Sequence, residues 1–183
     1  MIETERLILR PWQESEAGLL YKYACDPDIG PIAGWMPHTS VENSLEIIRT
    51  IFSAPEIYAV VLKETGEPIG SCGLMSADGF TKEGEAEIGY WIGKPYWGQG
   101  LIPEAVGALL ARSFNELCLK TVWCVYYDGN IKSKRVCEKS GFKYHHTNSD
   151  VISPLGDKRT EHCYNMTHED YRALQEAMTA HAL

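Results

Sequence analysis

Between residues 85 and 127 the chain changes period twice. EAEIGYWIG reads as a strand, KPYWGQG as a turn, Leu101 to about Cys118 as a helix, and KTVWCVYY as a buried strand. Two strands joined through a helix need a crossover, which sets them side by side and parallel. Hairpin patterns flank this unit. IYAVVLK and IGSCGLM are separated by the turn TGEP, and KYHHTNSDVI is followed by TEHCYNMT. Hairpins combined with one parallel crossover predict a mixed α/β fold: a single central mixed β-sheet flanked by helices.

The remaining elements fit that frame. RLILRPW reads as an opening strand stopped at Pro11, and QESEAGLLYKYAC as a helix through Ala17, Leu20, Tyr21 and Ala24. DIGPIAGWMPHT reads as a loop. A second helix starts after Ser40, an N-cap with Asn43 at the third helical position, and runs through Leu45, Ile48 and Phe52. A loop spans Asp78 to Gly84, NIKSKRVCEKSGF forms a short helix, and HEDYRALQEAMTAH closes the chain. The order is β-α-α-β-β-β-α-β-α-β-β-α. No repeat, low-complexity tract or linker divides it, so residues 1–183 read as one domain.

Charge and composition exclude several classes. Acidic residues outnumber basic ones, 25 to 17, for a net charge of −8. General nucleic-acid binding needs a positive surface and is not expected. No apolar run approaches the roughly 20 residues that span a bilayer, and MIETERLILR does not read as a signal peptide. The six cysteines form no CxxC pair and do not cluster with histidine, so they read as reduced residues of a cytoplasmic protein without a metal site.

The turn YWGQG precedes an apolar helix whose packed face is Ile102, Val106, Leu109, Ser113 and Leu117. Helix N-termini carry unpaired N–H groups and favour anions, and glycines let a ligand come close to them. Pro103 lies in the first turn, where its missing N–H costs little. A phosphate cradle and an ordinary strand-to-helix turn both fit. The GxxxxGK[ST] loop of nucleotide hydrolases is absent, and Pro103 stands where a dinucleotide fingerprint has its third glycine.

Taken together, EAEIGYWI, PYWGQG and NIKSKRVCEKSGF resemble the GNAT superfamily of acyl-CoA-dependent N-acetyltransferases. The opening TERLILRPW is similar to the RimJ/RimL-type branch. The resemblance covers nearly the whole chain and implies a splayed sheet that binds acetyl-CoA. It places the pyrophosphate on Trp97, Gly98, Gln99, Gly100 and Leu101, with Pro95 where relatives have Gln or Arg. It places the pantetheine arm against the main chain of Trp91, Ile92 and Gly93, beside a bulge at Gly89. Asn130 is implied to hydrogen-bond the arm, with Ser133 one turn later on the same helix. Lys132, Lys134 and Arg135 are implied for the outer phosphate.

The implied reaction is direct attack of a primary amine, a protein N-terminus or a small molecule, on the thioester. Glu87 is the first candidate base, with Asp150 and His146 behind it. Many relatives carry a tyrosine acid seven residues after the asparagine. Here that position is Cys137, so Ser133 is the implied proton donor to the thiolate. Acceptor contacts are expected from residues 28–39 and the second helix, with Trp35 and Tyr126 as walls. A homodimer through the final strands is a family expectation. The competing class is a non-catalytic acyl-CoA-binding or sensing protein.

Overall fold

The computed structural model describes residues 1–76 and 81–181. Its strands are β1 (Ile2–Glu3), β2 (Leu7–Arg10), β3 (Ile57–Leu62), β4 (Pro68–Met75), β5 (Glu85–Ile92), β6 (Thr121–Tyr127), β7 (Lys143–Ile152) and β8 (Lys158–Thr167). Its helices are α1 (Ala17–Ala24), α2 (Val41–Thr50), α3 (Leu101–Asn115), α4 (Ile131–Lys139) and α5 (His168–His181). The element order matches the sequence reading, with the two-residue β1 added. Part of the loop expected at Asp78–Gly84 lies outside the described residues.

The strands form one sheet in the order β1-β2-β3-β4-β5-β6-β8-β7. Neighbours are antiparallel except β5 and β6, the parallel pair that the α3 crossover requires. That parallel pairing is short, with only Glu85–Glu87 opposite Thr121–Trp123. Beyond it, β5 stays with β4 to Ile92 and β6 stays with β8 to Tyr127. The sheet therefore splays open between residues 88–92 and 124–127. A bulge at Gly89 does not cause this, contrary to the sequence expectation, because the β4–β5 register runs unbroken from Gly70↔Ile92 to Met75↔Glu87.

Helices cover both faces. On one, Leu20 and Ala24 of α1 and Ile48 of α2 pack with Trp12, Ala59 and Val61. On the other, α3 buries Leu101, Ile102, Ala105, Val106, Leu109, Leu110, Ser113 and Phe114 against the sheet. Each large apolar side chain buried this way contributes about 1.5–3 kcal/mol. Ser113 sits among them because its hydroxyl donates to the Leu109 carbonyl at 2.7 Å. Leu117, expected on the packed face, lies past the last turn and is exposed. Ser40 caps α2 as its sequence implies, its Oγ accepting from the Asn43 amide at 3.1 Å.

Candidate active site

The turn between β5 and α3 is built by backbone geometry. A short 3₁₀ turn, Lys94–Tyr96, is followed by Gly98 and Gly100 with φ of 78° and 76°. Only glycine enters that left-handed region without strain. A Cβ at Gly98 would meet nothing within 4 Å, so conformation and not crowding requires the glycine. The amides of Gly98, Gln99 and Gly100 donate to no acceptor among the described residues. They cluster at the N-terminus of α3, where the helix dipole adds positive potential.

Side chains brace this turn from outside. Arg6 donates to the Gln99 carbonyl at 3.0 Å and pairs with Glu104, in the first turn of α3, at 2.7 Å. The Gln99 side chain folds back onto the Pro95 carbonyl at 3.0 Å, so what Gln99 offers outward is its amide. The Trp97 indole donates to the Ile92 carbonyl at 3.0 Å, and Lys132 Nζ lies 3.5 Å from the centre of the Trp97 ring system. Lys132 and Arg135 line the adjoining groove and have no ion-pair partner among the described residues.

The splay leaves β5 with an unpaired side. Gly93 N–H donates to the Ile69 carbonyl at 2.8 Å, so residue 93 faces β4. Strand alternation then turns Trp91 to β4 as well, and turns the main chain of Tyr90 and Ile92, with the Ile88 carbonyl, to the gap, the Ile88 N–H closing the last β5–β6 bridge opposite Trp123. Of the expected trio Trp91, Ile92 and Gly93, only Ile92 points that way, and Trp97 occupies its carbonyl. The period of two makes the gap-facing set Ile88, Tyr90 and Ile92, one residue out of step with the expectation.

The same period sorts side chains onto two faces. Glu87 and Trp91 share one with Tyr127 and Glu161, which pair across β6 and β8. Tyr90 shares the other with Cys124, against α4. A groove of about 2290 Å³ runs from Gly98 and Gly100 through the gap to Glu87, and Asn130 and Ser133 line it on the α4 side. Glu87 is half-buried. Burial, and secondarily the nearby Glu161 carboxylate, push its pKa up to about 7. A carboxylate so placed can take a proton near neutral pH.

Asn130 is the N-cap of α4, its Oδ1 accepting from the Ser133 amide at 3.1 Å. Its side-chain carbonyl is thus structural, and its NH₂ is the group left to offer. Ser133 Oγ lies 2.8 Å from the Tyr90 hydroxyl, a contact the sequence did not reveal. His146 and Asp150, the further base candidates, lie on β7 at the sheet edge, outside the groove. His146 contacts His145 at 2.7 Å and Asp150 pairs with Lys158 at 3.5 Å.

Beyond Glu87 the groove is walled by Trp35, edge-on to Trp91 at 5.9 Å. The tyrosine on this face is Tyr127. Tyr126, the expected wall, touches the groove, but its ring leans at a tilt against His162 and Tyr164. Gly34, with φ of 88°, lies so close to the Tyr127 ring that a Cβ would come within 2.6 Å. Arg159 completes the wall, donating to the Pro31 carbonyl at 2.7 Å with its guanidinium 4.9 Å from the Tyr127 ring centre. No sequence spacing announces these contacts, because they join residues more than 30 positions apart, from 32 for Arg159 and Tyr127 to 128 for Arg159 and Pro31.

The sequence profile of the acetyltransferase (GNAT) domain matches residues 6–143. The chain is 31% identical over 145 residues to the uncharacterized N-acetyltransferase p20 of Bacillus licheniformis, covering 76% of this chain and 80% of that protein. Its fold is similar to a GNAT-family acetyltransferase from Bacillus anthracis, with a TM-score of 0.82 and 22% identity over 92% of this chain and 98% of that one. It is also similar in fold to the ribosomal-protein-S5-alanine acetyltransferase of Vibrio fischeri. There the TM-score is 0.69 with 20% identity, over 92% of this chain and 97% of that one.

Proposed function

Because the chain belongs to the GNAT family of acetyltransferases, we propose that it moves an acetyl group from acetyl-CoA to a primary amine. The acceptor is a protein N-terminus or a small-molecule amine, and the reaction takes place in the cytoplasm, where its six free cysteines stay reduced. The observation that carries this reading is the splay. A strand edge and three amides at a helix N-terminus, all without partners among the described residues, lie along one continuous groove. An extended arm ending in a pyrophosphate fits that combination, by strand addition at one end and anion capture at the other.

Acetyl-CoA, when bound, supplies an activated acyl group and a good leaving thiol. The chain supplies the rest. Gly98, Gln99 and Gly100 hold the pyrophosphate by backbone, beside Trp97 and Leu101, and Lys132 and Arg135 face the outer phosphate. The gap-facing main chain of Ile88, Tyr90 and Ile92, with the Asn130 amide, orients the arm. A gap-facing N–H stabilises negative charge on the thioester oxygen, an effect worth about 2.7–4 kcal/mol per donor in other enzymes.

Glu87 takes the proton of the attacking amine from one face of β5. Ser133, on the opposite face, is the proton donor to the departing sulfur. Acid and base thus flank the gap without competing for the same space. The carboxylates Glu87 and Glu161 beside Trp35, Trp91 and Tyr127 support a cationic acceptor, which must lose a proton before it attacks.

Thermal unfolding with and without acetyl-CoA tests the binding half, with ATP and NAD as controls. A ligand at about 100 times its dissociation constant adds about 2.7 kcal/mol. Thiol release is then followed with a panel of short peptides, polyamines and amino acids. A shift with acetyl-CoA and amine-dependent thiol release are expected. Absence of a shift at millimolar acetyl-CoA overturns the reading, and binding without release from any amine marks a sensor.

A further inference from the structure

The inference concerns how Ser133 is aimed, and it rests on the reading of Ser133 as proton donor to the leaving thiol. A serine hydroxyl has one hydrogen and two lone pairs. If that hydrogen turns back into the protein, it cannot meet a sulfur in the groove. Turning it outward requires a donor on the inner side of Ser133 Oγ. Tyr90 places its hydroxyl there at 2.8 Å, the ordinary length of an O–H···O bond.

Alternative partners for Tyr90 are poorer. The Ser133 carbonyl lies at 3.3 Å, and Cys124 Sγ and Cys137 Sγ lie at 3.5 and 3.9 Å. Sulfur is a weak acceptor. Between a phenol, with an ordinary pKa of about 10, and an aliphatic alcohol, the phenol is the stronger acid and so the better donor. Burial, and then the flanking thiols, hold the Tyr90 pKa well above its ordinary value, so it keeps its hydrogen over the working pH range. Strand alternation delivers the ring to the α4 face, and the small Cys137 leaves room for it. Its sulfur already lies 2.9 Å from that of Cys124, and a ring at position 137 would run into both neighbours.

We propose that Tyr90 is a positioning residue: its O–H donates to Ser133 Oγ and turns the Ser133 hydrogen into the groove toward the thiol of coenzyme A. Tyr90 makes and breaks no covalent bond and keeps its proton. Ser133 regains from solvent the proton it passes to the sulfur, and Glu87 releases to solvent the one it takes from the amine, so protons and charge balance over the cycle. The sequence places a cysteine where relatives carry their tyrosine, and a phenol from the neighbouring strand supports a serine in its place.

The test needs no acceptor amine. The thiol of bound coenzyme A is titrated by the ultraviolet absorbance of its thiolate, with the desulfo-coenzyme A complex subtracted. An aimed Ser133 hydrogen stabilises the thiolate and lowers that pKa. Ser133→Ala and Tyr90→Phe are each expected to weaken thiol ionisation by about tenfold, the scale of one hydrogen bond to a charged group. The double variant should lose no more than either single one, and Ser133→Thr should retain the effect.

A shift in Ser133→Ala without one in Tyr90→Phe overturns the proposal and leaves the Ser133 reading intact. No shift in either, with coenzyme A still bound, overturns both. Desulfo-coenzyme A affinity reports whether each variant keeps its fold. Should Tyr90→Phe fail to fold, difluorotyrosine at position 90 preserves the ring and strengthens the donor. It is expected to lower the bound thiol pKa further, and an unchanged value overturns the proposal.

Discussion

As the proposed base, Glu87 would couple activity to stability, and replacing it should separate the two. In the unfolded chain its carboxyl titrates near the ordinary 4.5, and in the folded protein near 7. Between those values the folded state binds the proton more tightly than the unfolded state does. Stability therefore falls as pH rises through this window, by about 1.36 kcal/mol per unit. Below pH 4.5 the penalty is absent, and above 7 it is complete, at most about 3 kcal/mol from this shift. Partial solvent screening of a half-buried group brings the expected figure to about 1.5–3 kcal/mol.

Glu87→Gln keeps the shape and carries no charge. At pH 5 it should match the parent. At pH 8.5 it should be more stable by that amount, about 3–10 °C in Tm for a chain of this size. Amine acetylation should fall by about 10²–10⁴ in the same variant. Thermal unfolding at pH 5, 7 and 8.5 reads the stability half. Curves for the two proteins that stay parallel across that range, or a variant less stable at pH 8.5, would refute the burial of an ionising Glu87. In the parent, kcat/KM should rise with pH through about 7 as Glu87 ionises. Glu161→Gln removes the neighbouring like charge and should move that limb to lower pH.

Three further outcomes are expected. Gly100→Ala forces a side chain to φ near +76°, which costs about 1–2 kcal/mol. Its unfolding temperature should drop, and acetyl-CoA should restore less of it than in the parent, read by thermal shift. Asn130→Ala removes the N-cap of α4 for about 1 kcal/mol, whereas Asn130→Ser keeps a cap but not the amide. Serine should therefore recover stability and not acetyl-CoA affinity, as calorimetry can check. Gly34→Ala sets a Cβ against the Tyr127 ring at a left-handed backbone position, for a loss of about 1–3 kcal/mol. Gly34 lies against the wall proposed for the acceptor, so on that proposal KM for the amine should rise while acetyl-CoA affinity holds, measured by steady-state kinetics.

Much of this was legible from residues near one another in the chain. The strand–turn–helix–strand run of residues 85–127 dictated a parallel pair within a mixed sheet, since a crossover of that length closes no other way. The glycines of YWGQG announced a turn before a helix, and Ser40 and Asn130 announced helix starts, because caps and turns are made by residues within about four positions; the positive φ of Gly98 and Gly100 came from the structure. Glu87 and Ser133 were named by resemblance, and the fold sets them around a single groove.

Tertiary structure decided what local spacing cannot encode. Which β5 residues face the gap depends on the register with β4, and a shift of one residue moved the set from Trp91 and Gly93 to Ile88 and Tyr90. The same parity set Tyr127 in place of Tyr126 against Gly34. The pKa of Glu87 depends on burial and on Glu161, 74 positions away, which meet only when β8 inserts beside β6. Arg6 reaches Gln99, and Tyr90 reaches Ser133, through the packed sheet and helices. The sequence alone determined the elements and the residue types they carry. Only the closing of distant strands determined which side chains meet, since register, burial and electrostatic coupling are properties of the assembled sheet.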